Sequence, residues 1–170
     1  MGTINKCLKE WNAIIEALGK GKQSLIIRKN STKLDKILLY PTYSYANDKN
    51  YLLNFKKEYR KFVSDNALPN ITNNRIKIKY FVSIEKIIEK SSKEILELND
   101  LYIWNQSHVQ FYLDGNNAYV WLLRVYKLKN PYFAEKHQGM TFANLKEYVN
   151  IDDSKPVLNN DNFSNVAEMI

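Results

Sequence analysis

Apolar residues at Ile4, Leu8, Trp11, Ile15 and Leu18 recur at spacings of three and four. That period predicts an amphipathic helix, capped at Thr3 and stopped where Gly19 or Gly21 allows a left-handed backbone. The period then shortens. Residues 23–27 form a compact apolar run that reads as a covered strand, and Arg28 and Lys29 stand at its end. A polar connector over residues 30–35 leads to a second strand at 36–40, stopped by Pro41, and these two strands are expected to pair antiparallel. Residues 41–47 read as a loop carrying Tyr43 and Tyr45. The spacing of Leu52, Phe55, Tyr59 and Phe62 predicts a second helix from an Asn47 or Asp48 cap to Val63. Its other faces hold Lys49, Lys56, Lys57, Arg60 and Lys61 with Glu58 alone in opposition, so like charges three and four apart repel.

Residues 75–82 alternate strictly, with Arg75, Lys77 and Lys79 on one face and Ile76, Ile78, Tyr80 and Val82 on the other. This is the pattern of a half-buried antiparallel strand with a cationic outer face. Ser83 is expected to cap a short helix through Lys90, and Ser91 with Glu94 has the spacing of a capping box for another turn or two to Leu98. Trp104 sits at a turn into a further short helix, and Asp114-Gly115 is a turn signal. Residues 118–128 are apolar on both faces, which predicts a central strand ended by Pro131. Residues 141–149 read as a last strand or helix. Residues 151–170 are polar, acidic and Asn-rich; a mobile tail is expected there, with a short helix at 165–170.

The 170 residues, 45% hydrophobic and 13% aromatic, suit one globular domain over residues 1–150. No apolar run reaches the length of a membrane span and the N-terminus lacks a leader's order of basic, apolar and small residues, so a soluble cytoplasmic protein with no membrane partner is expected. Cys7 is the sole cysteine, which excludes an internal disulfide and a thiolate metal cluster and leaves it as a small core residue.

The net charge of +7 is uneven. Residues 1–90 carry 18 Lys/Arg against 8 Asp/Glu, a net of +10, while residues 91–170 carry 7 against 10, a net of −3. Such asymmetry points to a polyanion facing the first half, whereas a Lys- and Asn-rich composition alone would raise the charge without any partner.

His108 and His137 are the only histidines, and no carboxylate cluster stands at ligand spacing, so neither a metal nor a cofactor is expected. Glycine-rich phosphate loops and a nucleophile elbow are absent. A metal-dependent nuclease needs carboxylates and a lysine converging at strand ends. Asp153 with Lys155 falls in the expected tail, and Glu85 and Lys86 are adjacent and point apart, so no catalytic set is assigned.

What remains is three cationic elements: the turn with Lys20, Lys22, Arg28 and Lys29, the helix with Lys56, Lys57, Arg60 and Lys61, and the strand with Arg75, Lys77 and Lys79. On a shared surface they would neutralise several phosphates, the salt-sensitive part of nucleic-acid affinity; apart, they are solvated faces. Tyr43, Tyr45 and Trp104 can stack an unpaired base or simply pack over the core edge. Arg124 lies in an apolar strand, where it needs a carboxylate such as Glu10 or Glu16, a set of carbonyls, or a ligand whose pocket it floors.

The segments KEWNAIIEAL, GKQSLIIRK, ILLYPTY and WLLRVYKLKNPY, taken in order, resemble the family called domain of unknown function 1802 over about residues 6–150. The connector at 30–35 is shorter than the glycine-containing insertion its members tend to carry. The family has no established activity; its occurrence beside restriction-endonuclease-type domains implies handling of modified or foreign DNA. The helix-Gly-strand-Arg order of residues 17–28 also looks like the opening of barrels of the pseudouridine-synthase-and-archaeosine-transglycosylase (PUA)-like type, which include readers of RNA and modified bases. The fold expected is therefore α+β, a mixed, mostly antiparallel, barrel-like sheet with flanking helices. The expected function is a non-catalytic module for DNA or RNA, with Lys22, Arg28, Lys29, Lys56, Lys57, Arg60, Lys61, Arg75, Lys77 and Lys79 holding the backbone and Tyr43, Trp104 and Arg124 lining a pocket. A protein-interaction or self-associating subunit, and then a metal-dependent nuclease, are the alternatives.

Overall fold

The computed structural model describes residues 2–136 and 141–170; His137 lies outside them. The chain opens with strand β1 (Thr3–Trp11), where a helix is expected, and only then enters helix α1 (Asn12–Gly19). The misreading has a geometric cause. Ile4 and Leu8 are four apart, a spacing that periods of 3.6 and of two both satisfy. A register shift between Ile4 and Lys6 then lets Ile4 share a face with Cys7 while Leu8 turns to the opposite core. Helix α1 is buried from Asn12 to Leu18 and stops as expected at its glycines. Gly21 takes φ +72°, the Gly21 N–H donates to the Leu18 carbonyl and the Lys22 N–H to that of Ala17, which closes the last turn. Gly19 is needed for another reason, because a Cβ there would fall on the ring of Tyr80.

Strand β2 (Leu25–Arg28) follows, then β3 (Lys36–Thr42). They do not pair with each other. Instead β3 runs parallel to β1, with Cys7 opposite Leu38 and Glu10 opposite Pro41. Pro41 is tolerated inside β3 because the partner on the other side of β3 is registered only at Lys36–Leu38, so no ladder bond is lost there. Residues 44–59 form three short 3-10 turns before helix α2 (Arg60–Asp65), in place of one continuous helix. Phe55 is extended and fully buried, in a bridge to Trp104 that a helix would forbid.

A two-residue strand, β4 (Ile71–Thr72), turns through Asn73 and Asn74, both at positive φ, into β5 (Arg75–Lys90). The helix expected at 83–90 is strand throughout. A bulge between Ile84 and Lys86 puts Ile84 and Ile87 against the same core, which mimics helical spacing. The capping box at Ser91 and Glu94 is present and starts α3 (Ser92–Glu97), and Asn105 caps α4 (Gln106–Leu113). Asp114 and Gly115 turn at positive φ into β6 (Ala118–Glu135), the longest strand. β6 continues past Pro131 because the register against β5 slips between Lys127 and Tyr132, which leaves the proline outside the ladder. β7 (Phe142–Asn150) resolves the last strand-or-helix question as strand. Residues expected as a tail return to the sheet as β8 (Lys155–Pro156), paired with β6, followed by α5 (Asn160–Glu168).

The order is β2-β6-β5-β3-β1-β7, antiparallel except for β1 beside β3, with β4 on β5 and β8 on β6. This mixed sheet of eight strands is a barrel-like sheet left open, with α1 packed inside it; β2 and β7 are its two free edges.

Candidate functional site

The gap between the sheet's two ends is the feature that the topology positions most sharply. β7 pairs β1 only as far as Leu8 opposite Phe142, and the Lys9 N–H reaches the Thr141 carbonyl. Beyond that point no strand among the described residues pairs with β1 on this side. Arg28, arriving at the end of β2, crosses the gap. Its Nη2 donates to the Lys9 carbonyl at 3.2 Å and to Glu10 Oε2 at 2.5 Å. Glu10 Oε1 in turn accepts the Trp11 N–H at 2.8 Å. The guanidinium thus ties the edge strand β2 to β1 through a short charge-assisted bond.

Beside this pair lies a cavity of about 170 Å³, walled by Trp11, Trp104, His108 and Tyr112, with Glu10 and Arg28 as its polar floor. The wall is rigid. Trp11 stacks on Tyr45 at 4.6 Å and 8°, and Tyr45 is pinned by donating to the Ala67 carbonyl and accepting the Ala13 N–H. Burial holds the Tyr45 hydroxyl well above the ordinary phenol range, so it stays protonated. His108 and Tyr112 are four apart on α4 and face the opening together. Burial keeps the His108 pKa below the ordinary histidine value, so its ring is a neutral donor and acceptor near pH 7. Burial raises Tyr112, against a smaller opposing pull from Arg28. Arg28 and Tyr112 also border a shallower groove of about 650 Å³, which runs past Lys29, Asn30, Trp121 and Phe142 to Asn144. Among the described residues no acidic side chain lines that groove.

Of the residues named from sequence, Arg28, Lys29 and Trp104 meet at this seam. Lys29 is exposed, with Nζ 4.8 Å from the Tyr112 ring centre. The others go elsewhere. Lys22 is exposed, with Nζ over Phe62. Lys56 donates to the carbonyls of Asn99 and Tyr102, and burial lowers its pKa. Arg60 Nε is shared by the Leu52 and Phe55 carbonyls, and Lys61 pairs with Asp65 at 3.1 Å. Lys57 is exposed. Arg75 caps the Phe133 carbonyl, Lys77 is half-buried, and Lys79 turns inward to the buried Glu16 at 2.5 Å. The expected cationic strand face is therefore divided. Tyr43 packs on the second core, beyond the cavity. Arg124 meets neither Glu10 nor Glu16: its Nη2 donates to the Leu158 carbonyl and Asn160 Oδ1, and its guanidinium lies 4.8 Å from the Phe163 ring centre under α5.

Sequence reasoning missed Glu10, His108 and Tyr112 as site residues. The first is legible only once β1 is a strand ending at the seam. The other two carry a usable signal, polar aromatics at an i, i+4 spacing on a short helix, but nothing in the sequence says which face of α4 meets the gap. Among the described residues no group of three or more His, Cys, Asp or Glu is placed to hold a metal ion.

No curated protein matches the chain. Among solved structures it is similar to ASCH from Zymomonas mobilis, at 13% identity and a TM-score of 0.52, over 84% of this chain and 87% of that one. Two single-residue mutants of that protein match alike, at 13% and 12% identity and a TM-score of 0.52, over 84% of this chain and 88% and 90% of theirs. At such identity the likeness shows the fold, and it agrees with the PUA-like barrel resemblance read from residues 17–28. Residues 7–169 match the family described as Domain of unknown function (DUF1802), and the chain belongs to it.

Proposed function

We propose that the protein is a nucleic-acid-binding module whose open seam takes a base. The observation that carries this reading is that Trp11, Trp104 and Tyr112 together wall the cavity, while Trp121 packs in the core beneath the adjoining groove. Aromatic walls favour a planar guest. The floor is electrically balanced, since Glu10 and Arg28 offset each other, so it suits an uncharged guest with hydrogen-bond donors and acceptors and gives a bare phosphate no net attraction. A nucleobase meets both conditions. Lys29, Asn30 and Asn144 in the groove supply the cation and polar groups that a phosphodiester needs. The ASCH-like and PUA-like fold supports the same class of ligand.

The cation-rich flank at Lys57, Lys61 and Lys77 then adds long-range attraction instead of contact. The link to modified or foreign nucleic acid and to defence comes from the family resemblance, and it makes a modified base the guest to test beside an ordinary one. The test is a titration of the protein with short DNA and RNA strands, with and without a modified base, followed by tryptophan fluorescence. Quenching that weakens steeply with salt, and that falls in Tyr112→Ala and Lys29→Glu, is expected. Fluorescence that stays unchanged up to high strand concentration at low salt contradicts the proposal.

A further inference from the structure

Two large apolar side chains stand exposed on elements that border the seam, Phe111 on α4 and Phe142 on β7. Phe111 is 85% exposed on the outer face of α4, three residues after His108, the spacing of neighbours on a helix surface. Phe142, 40% exposed, lines the groove on the far side of Arg28 and Tyr112, at the first residue of β7. One exposed ring thus lies on the helix that walls the cavity and one in the adjoining groove. Leaving a phenylalanine in water forfeits its burial energy, so exposed rings bordering a pocket mark a contact surface. The groove holds Lys29 beside the Glu10-paired Arg28, and no acidic side chain among the described residues lines it, which is complementary to a phosphodiester and adverse to a neutral apolar partner face.

We infer that the seam binds a single strand of about three nucleotides or more, with one base in the cavity and the bases on either side stacked on Phe111 and Phe142. This rests on the reading of the cavity as a base site. The cavity, about 170 Å³ between aromatic walls, admits one base and not a base pair, so a duplex enters only by extruding a nucleotide. Both rings sit outside the core, so their replacement leaves the fold intact.

The test compares a mononucleotide, a trinucleotide, a longer single strand and a duplex of the same sequence, by tryptophan quenching and by anisotropy of labelled strands, in DNA and RNA forms. Expected are a gain of about tenfold or more from mononucleotide to trinucleotide, a single strand bound well above the duplex, and a loss of about tenfold for the trinucleotide in Phe111→Ala and in Phe142→Ala with mononucleotide binding unchanged. A mononucleotide that binds as tightly as the trinucleotide, or Phe→Ala variants with wild-type trinucleotide affinity, overturns the inference and leaves the base site standing. Absence of binding by any nucleotide overturns both. Self-association that is abolished by Phe111→Ala while strand affinity is unchanged assigns the rings to a second copy of the chain and overturns the inference as well.

Discussion

Two arginines reach out of the sheet, and the space left beside each differs. Arg28 bridges β2 to β1 and stands at the floor of an open aromatic cavity. Arg124 reaches α5, where Leu18, Val157, Leu158 and Phe163 close around it and no water-sized space remains. Both donate through Nη2, and Arg124 Nε is buried without a hydrogen-bond partner among the described residues. A bonded guanidinium is therefore compatible with either role. What separates a seam from a latch is the room beside the charge and the polar groups still facing it. The cationic flank makes the same point. Lys56, Arg60 and Lys79 hold carbonyls and a buried carboxylate, and their count in the sequence overstates the charge available to a ligand.

The largest effect is expected at the seam. Arg28→Ala leaves Glu10, whose side chain is only 11% exposed, without its counter-charge, and should cost about 2–3 kcal/mol in urea denaturation, discounted from fully buried pairs for partial exposure. It should also weaken strand binding by about tenfold or more. The latch comes next. Arg124→Ala removes two hydrogen bonds and the stacking on Phe163, so about 1–2 kcal/mol should be lost with faster amide exchange across residues 160–168, and strand affinity should not change. If Arg124→Ala reduces binding as much as Arg28→Ala does, the distinction between seam and latch fails.

Reversing the exposed flank cations, Lys57→Glu with Lys61→Glu, should lower affinity by only about threefold at low salt and leave stability within about 0.5 kcal/mol. Lys29→Glu alone should do more. Anisotropy titrations of the two variants over a salt series decide the order.

The smallest effect concerns pH. The folded-state pKa of His108 lies below its ordinary 6.5 because of burial, so the unfolded chain takes up this proton first as pH falls. The contribution is fully present above pH 6.5 and is lost as pH falls from there through the lower folded value. His108→Gln should flatten the stability slope in that window, measured as the urea midpoint against pH, and an unchanged slope would contradict the burial of His108 in the cavity wall.

Elements whose signals are local were legible in the sequence: the Ser91–Glu94 box, the Asp114-Gly115 turn, the alternation of 75–82 and the two-faced apolar run of 118–128. Those that depend on pairing were not. β1 imitates a helix because Ile4 and Leu8 fit both periods, and 83–90 does so because a bulge at Ile84–Lys86 shifts the faces. The seam was half legible. An apolar strand ending in Arg28 announced a fixed charge, and Trp104 announced an aromatic neighbour. The partner Glu10 required β1 to be extended and to lie at the other end of a curled sheet, which is long-range information. The second half of the chain was underestimated for a similar reason: polar composition at 151–170 hid a return to β6 made through the Val125 carbonyl, which accepts the Val157 N–H, and through Arg124.

The most direct measurement is photocrosslinking of a single strand carrying 5-bromouracil at one position, with the attached peptides identified by mass spectrometry. Attachment to the segments bearing Trp11, Trp104, Tyr112 and Phe142 is the predicted result. Attachment confined to residues 56–61 and 75–79 would contradict it and return the binding face to the cationic flank.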